Sequence, residues 1–147
     1  MNYSFLDALR ERILVFDGAM GTMLMRYGLT SGACSEEWNI SKPERIEEIH
    51  RSYIAAGADC IETNTFGANR FRLSAHHLDD RVIELNIAGA RIAKKASQGR
   101  AFVVGSVGPT GKILEPFGDL SFEDAYNAFK EQVMALEEGG VDAIIIE

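Results

Sequence analysis

Four short, largely apolar stretches recur along this chain, at residues 13–16, 59–63, 101–107 and 142–147. Their starts are separated by 46, 42 and 41 residues, and the sequence between them carries apolar residues at helical spacing. Strands that alternate with helical patterns at such intervals imply βα units and a parallel sheet, because a parallel neighbour needs a crossover helix. The first stretch, Ile13-Leu14-Val15-Phe16, runs into Asp17-Gly18-Ala19-Met20-Gly21-Thr22. A continuous apolar run closed by glycine reads as a buried parallel strand. Asp17 then sits where that strand leaves the sheet, the end at which α/β folds bind ligands.

The helical stretches have recognisable ends. Phe5, Leu6 and Leu9 suggest a short amphipathic helix, and residues 20–27 a second. Ser41-Lys42-Pro43-Glu44 gives a capping serine, an early proline and a glutamate three residues on. Ile46, Ile49, Tyr53 and Ile54 form the inner stripe of the helix that follows, and Gly57 ends it. Another helix is expected from Asp79 or Asp80 to about Ser97, with Val82, Leu85, Ile92, Ala93 and Ala96 inward. Ser121 with Asp124 caps a last one, where Phe122, Ala125, Phe129, Val133 and Leu136 face the core and Gly139-Gly140 stops the helix.

Two architectures compete for such a pattern. A doubly wound sheet would carry a Gly-rich phosphate fingerprint after its first strand, and D-G-A-M-G-T is not one. A (β/α)8 barrel places working residues at several strand ends, and here Asp17, Thr63 with Asn64, Ser106 and Glu147 lie at such ends. A weak internal echo, Gly57-Ala58-Asp59-Cys60-Ile61 against Gly140-Val141-Asp142-Ala143-Ile144, suits repeated units. The expected fold class is therefore α/β, with parallel βα units forming the N-terminal half of a (β/α)8 TIM barrel. Residues 1–147 are read as a single partial domain holding the first four strands, since a full barrel needs about 250 residues.

Composition narrows the function. A net charge of −7 argues against nucleic acid or an anionic membrane surface as the partner. No apolar run approaches a membrane span and the N-terminus lacks a signal-peptide layout, so a cytoplasmic location is the default expectation. Two cysteines form no disulfide framework: Cys60 reads as a small buried hydrophobe and Cys34 as a loop residue. His50, His76 and His77 read as structural or surface residues, and Met20, Met23 and Met25 as core filling.

Asp17 beside a turn with open N–H groups suits a zwitterion such as an amino acid. The bland reading of Asp17 is a helix cap, and that of Thr63 and Asn64 is satisfaction of loop backbone. The bland reading of Ser106 is packing, and that of Gly108-Pro109 is turn geometry.

Four segments together, ILVFDGAMGT (13–22), AGADCIETNTFGAN (56–69), GSVGPTG (105–111) and GGVDAIIIE (139–147), resemble the homocysteine S-methyltransferase family in order and spacing. Within it the likeness is nearest to the homocysteine-binding module of the cobalamin-dependent members. The resemblance implies a barrel with L-homocysteine at its C-terminal mouth, its thiol held by zinc through three cysteines. Those cysteines belong to the second half of the family's barrel, and neither Cys34 nor Cys60 matches them, so no metal ligand and no catalytic residue is expected in this chain. The resemblance also implies that Asp17 and Glu147 hold the substrate ammonium, and that the backbone of Gly18, Ala19 and Met20, with Thr63, holds its carboxylate; Asn64 is a further candidate substrate contact. The remaining half of the barrel and cobalamin and folate modules are the implied partners, with methylcobalamin charged from methyltetrahydrofolate as donor; wider relatives use betaine or S-methylmethionine. The polypeptide by itself is expected to be inactive. The alternative expectation is a non-catalytic half-barrel that forms a homo-oligomer through exposed strand edges. A barrel enzyme acting on a pterin ranks below both.

Overall fold

The computed structural model describes residues 4–147. Three parallel strands, β1 (Cys60–Glu62), β2 (Phe102–Val107) and β3 (Ala143–Ile146), lie side by side in chain order. The register sets Cys60 against Phe102, Glu62 against Val104, Val104 against Ala143 and Ser106 against Ile145. The expected first strand is reduced to a single parallel bridge from Phe16 to Cys60. Asp17 N–H donates to Cys60 O at 3.0 Å, and Cys60 N–H donates to Val15 O at 3.1 Å. The segment is also not buried as expected. Ile13 is 89% exposed and Val15 57% exposed, although these alternate residues point to the sheet face that carries the crossover helices, at its outer edge. Leu14 and Phe16 point the other way and are packed.

The seven α-helices among the described residues arise where local signals and packing agree. Helix α1 (Phe5–Glu11) starts at Ser4, whose Oγ accepts from Asp7 N–H at 3.2 Å. Its buried side is Phe5 and Ala8 rather than Leu6 and Leu9, which stay 63% and 47% exposed. Phe5 meets Phe102 edge-on at 5.4 Å, and that contact decides which face of the helix turns inward. Helix α2 (Met20–Arg26) buries Leu24, while Met20 and Met23 pack against the same cluster and Met25 is exposed.

Ser41 is not the cap it promised to be. It ends the short helix α3 (Trp38–Ser41), and its Oγ donates to Glu37 Oε2 at 2.7 Å. Helix α4 (Pro43–Ala55) follows with Pro43 at its first position and Ile46 and Ile49 fully buried. Two further pieces were not anticipated: α5 (Arg70–Ser74), capped by Asn69, and a 3₁₀ turn at Asp79–Arg81 before α6 (Val82–Ser97). Helix α7 (Phe122–Gly139) is capped as expected, with Ser121 Oγ accepting from Asp124 N–H at 3.0 Å. Phe122, expected inside, is 77% exposed, while Ala125, Ala128, Ala135 and Leu136 of the same helix are buried. At the other end, a methyl group on Gly139 would collide with Ala90 Cβ, so glycine sets how closely α6 and α7 approach.

The sheet has two unlike faces. On one, Cys60, Phe102 and Val104 pack with Ala8 of α1 and with Leu14, Phe16, Ala143 and Ile145. On the other, Ile61 and Val103 meet Ala93 and Ile54, and Val107 meets Ala90 and Leu136. The crossover helices α4, α6 and α7 thus share one face, whereas a doubly wound sheet would carry them on both. The architecture is α/β with parallel strands.

Candidate functional site

Strand alternation determines what reaches the C-terminal end of the sheet. From Cys60 the pleat carries Glu62 onto the same face as Val104 and Ile145. The same alternation brings Ser106 from β2 and Glu147 from the residue after β3. Asp17 arrives from the end of the bridged segment. These side chains line a cleft of about 540 Å³.

Asp17 accepts from the Glu62 backbone N–H through both oxygens, at 3.1 and 3.2 Å. Burial nevertheless pushes its carboxyl up to about 6, with hydrogen bonds from backbone N–H groups opposing the rise. Glu62 is pushed up to about 7, first by burial and then by the charges of Glu147 and Asp17. Ser106 Oγ donates to Glu147 Oε1 at 2.8 Å. Three carboxyl groups therefore share one wall, and the arrangement favours a cation.

The turn at residues 18–20 forms the adjoining edge. Gly18 is required there, because a Cβ would stand 2.9 Å from the Tyr53 ring. Tyr53 OH donates to Ala19 O at 3.1 Å and fixes the turn. Ala19 brings no capping side chain to α2, so the first-turn N–H groups of that helix have no side-chain acceptor. Gly18, Ala19 and Met20 all line the cleft.

Thr63 and Asn64 also line it, yet their side chains are engaged within the protein. Thr65 Oγ1 donates to Ser106 O at 2.8 Å, which leaves Thr63 to donate to Thr65 at 2.6 Å. Thr63 Oγ1 in turn accepts from Ser106 N–H at 3.0 Å. Asn64 Nδ2 donates to Ser35 O at 2.8 Å and to Asn39 Oδ1 at 3.0 Å, tying the strand end to the loop before α3.

The cleft is also lined by Cys34, Glu36, Phe66, Arg72 and His76. Glu36 is buried and accepts from Gly67 N–H at 2.7 Å. Cys34 Sγ donates to Glu36 Oε2 at 3.3 Å, and burial pushes its thiol up to about 11. Cys60 lies inside the sheet face and is likewise pushed up to about 11, chiefly by burial. Among the described residues, no group of three or more His, Cys, Asp or Glu side chains is arranged to hold a metal ion.

Glu62 escaped the reading of strand ends, which stopped at Thr63 and Asn64. The signal lay in the pleat: Glu62 follows Cys60 by two residues and shares its face. Glu36, Arg72 and His76 gave no local signal, because their approach to the cleft depends on how the loops before α3 and after β1 meet.

Residues 14–147 match the family model described as homocysteine S-methyltransferase. Methionine synthase from Mycobacterium tuberculosis is 37% identical over 154 aligned residues, covering 97% of this chain and 13% of the relative. The Mycobacterium leprae methionine synthase is 35% identical over the same coverage. Among solved structures, the Escherichia coli homocysteine methyltransferase MmuM in its oxidized form superimposes with a TM-score of 0.82 at 28% identity, over 97% of this chain and 56% of that one. Its metallated form gives 0.81 at 26% identity, over 96% and 56%. The chain thus spans about an eighth of the methionine synthases and about half of the MmuM structures that it matches.

Proposed function

The chain belongs to the homocysteine S-methyltransferase family, and on that premise we propose that its cleft holds the amino-acid end of L-homocysteine for transfer of a methyl group to the substrate sulfur, which forms methionine. The observation that carries this reading is that Asp17, from the first parallel segment, and Glu147, from the residue after β3, line one cleft together with the uncapped turn at residues 18–20. The two carboxylates take the ammonium. The N–H groups of the turn take the substrate carboxylate. Thr63 and Asn64 shape the wall and hold its loops in place.

In the same reading the four parallel segments form an arc of a (β/α)8 barrel. Consecutive strand order with the three crossover helices on one face supports this. Zinc does not fit the described residues: Cys34 is bound to Glu36, Cys60 is sealed in the sheet face, and among the described residues no group of three His, Cys, Asp or Glu is arranged to hold a metal. The thiolate-forming part of the reaction is therefore assigned to the rest of the protein, together with methylcobalamin charged from methyltetrahydrofolate, and the 147-residue polypeptide is inactive by itself.

Titration of L-homocysteine by calorimetry, with and without zinc, tests the assignment. The expected result is weak binding that is indifferent to zinc and lost in Asp17→Asn. Absence of binding overturns the cleft as a substrate site, and tight zinc-dependent binding overturns the placement of the metal elsewhere. A second reading, self-association through strand edges, is favoured by Ile13, Val15 and Ile146, which are 89%, 57% and 79% exposed.

A further inference from the structure

Strand β1 ends at Glu62, while β2 runs on to Val107. Thr63 N–H still donates to Val104 O at 2.9 Å, in step with the pairing of Glu62 and Val104. In a parallel ladder the next two bonds would run from Ser106 N–H to Thr63 O and from Thr65 N–H to Ser106 O. Thr65 N–H instead donates to Thr63 O at 2.9 Å and closes a tight turn. The two threonine hydroxyls take over from the diverted backbone groups, one for one. Thr63 Oγ1 accepts from Ser106 N–H at 3.0 Å, and Thr65 Oγ1 donates to Ser106 O at 2.8 Å. All three residues are buried, and the equally buried Gln132 of α7 pins the turn by donating to Thr65 O at 2.8 Å.

Counting protons fixes the direction of this chain of bonds. Thr65 has one hydroxyl proton and gives it to Ser106 O, so the 2.6 Å contact between the threonines carries the proton of Thr63. Thr63 N–H is committed to Val104 O. Thr63 therefore keeps no donor for a substrate carboxylate, which can only accept. Ser106, held at both of its backbone groups, donates its own hydroxyl to Glu147 Oε1 at 2.8 Å. Glu147 N–H donates to Val107 O at 3.1 Å, so the end of β2 holds both the backbone and the side chain of Glu147.

We propose that Thr63, Thr65 and Ser106 are positioning residues that set the Glu147 carboxylate for the substrate ammonium, and that they thereby select amino thiols over thiol acids that lack the amino group. The inference rests on the reading of this cleft as the homocysteine site. A donor at Oε1 orients the carboxylate, whose oxygens keep lone pairs for further donors. An arriving ammonium then meets an acceptor that is already ordered, and binding does not have to freeze a free glutamate side chain. Thr63 acts at one remove, through Ser106, and not on the ligand.

Titrations of the 147-residue chain followed by NMR test this with two probes: L-homocysteine, and γ-mercaptobutyrate, which has the same thiol and carboxylate without the ammonium. Ser106→Ala should weaken homocysteine about tenfold, as loss of a hydrogen bond to a charged group does, and leave γ-mercaptobutyrate within about twofold. Thr63→Val should show the same selective loss, and Thr63→Ser, which keeps the hydroxyl, should bind both probes as the native chain does. If either Ser106→Ala or Thr63→Val weakens the two probes equally, the hydroxyl acts on the shared carboxylate or on the fold alone, and the inference is overturned. Unchanged homocysteine binding in Ser106→Ala overturns it as well. Ser106→Ala removes one oxygen and keeps both backbone bonds of residue 106, so it decides the selectivity even where Thr63→Val does not fold. In the ligand-free chain, the ¹³C signal of the Glu147 side-chain carboxyl should move in Ser106→Ala and Thr63→Val and stay in place in Thr63→Ser. A signal that Ser106→Ala or Thr63→Val leaves unmoved overturns the positioning role whether or not any ligand binds. Failure of the native chain to bind homocysteine overturns the substrate assignment, while the carboxyl signal still decides the positioning of Glu147.

Discussion

Asp59 and Asp142, at matching places in the internal echo, do the same thing to the strand before them. Asp59 N–H donates to Val15 O at 2.8 Å while its Oδ2 accepts from Val15 N–H at 3.0 Å. Asp142 N–H donates to Val103 O at 2.7 Å while its Oδ2 accepts from Val103 N–H at 2.8 Å. Each carboxylate also takes one cation, Arg12 at 2.8 Å or Lys94 at 3.0 Å. The repeated G-x-D-x-I pattern is thus a strand-entry clasp rather than a binding motif.

The clasp yields a ranked prediction. Val103 is fully buried and Val15 is 57% exposed, so losing the acceptor strands a donor without water only at Val103. Asp142→Ala should cost about 1–3 kcal/mol, and Asp59→Ala less, because water can replace the lost partner there. Urea unfolding of both variants checks the order, and equal losses would refute the burial argument.

Stability should rise on mild acidification through the cleft. Asp17 and Glu62 have folded values near 6 and 7 against ordinary values of 3.8 and 4.5. Between those limits the native state binds more protons than the unfolded chain, so their contribution to stability falls as pH rises through the folded values. Asp17→Asn keeps an acceptor for Glu62 N–H and removes a buried charge. It should stabilise the chain at neutral pH by about 1–2 kcal/mol while abolishing ligand binding. Thermal melts of native and variant chains from acid to neutral pH provide the check.

His50 pulls in the opposite sense. Its ring is fully buried, neither nitrogen has a hydrogen-bond partner among the described residues, and burial holds its value down near 4 against 6.5. Below 6.5 the unfolded chain takes up the proton first, so this contribution is lost as pH falls toward 4. In His50→Leu the acid side of the stability profile should therefore flatten upward relative to native. A profile of unchanged shape would show that His50 does not set the acid limb.

Much of the frame could be read from residues whose signal is local. Pro43, Ser121 with Asp124, and Gly140 mark helix ends because capping geometry involves only near neighbours. The apolar stretches announced β1, β2 and β3 for the same reason. What could not be read depended on a distant partner. Spacing alone points Leu6 and Phe122 toward the core, yet they are 63% and 77% exposed, and in α1 it is Phe5 that meets Phe102. Val15 looked like core and lies on an uncovered edge. In the site, Asp17 and Glu147 stood out as strand-end carboxylates, whereas Glu62 becomes interesting only when β3 brings Glu147 beside it. Thr63 and Asn64 line the cleft, and only the folded chain shows that Thr65, Ser35 and Asn39 also engage their side chains.

Gly139→Ala offers a test of the helix layer. The added methyl meets Ala90 on α6, and neither backbone can yield without moving a helix. The expected cost is about 1–3 kcal/mol, with α6 and α7 losing hydrogen-exchange protection together. A neutral substitution would mean that the two helices can slide apart freely.

The exposed edge residues give a last prediction. If strand edges pair between copies, sedimentation should show concentration-dependent dimers that Val15→Lys dissolves. A monomer at every concentration would remove the self-association reading.

Nearest-neighbour strand order has a consequence for how the chain acquires its shape. Each strand pairs with the one made just before it, so βα units can dock in the order of synthesis, with short loops to close at every step. The cleft is different. It takes Asp17 from the first of the four parallel segments and Glu147 from the fourth, so its lining is complete only once all four have docked. Ligand binding therefore reports on the whole series at once: a slip in any intermediate strand is recorded as a mismatch between the earliest carboxylate and the latest.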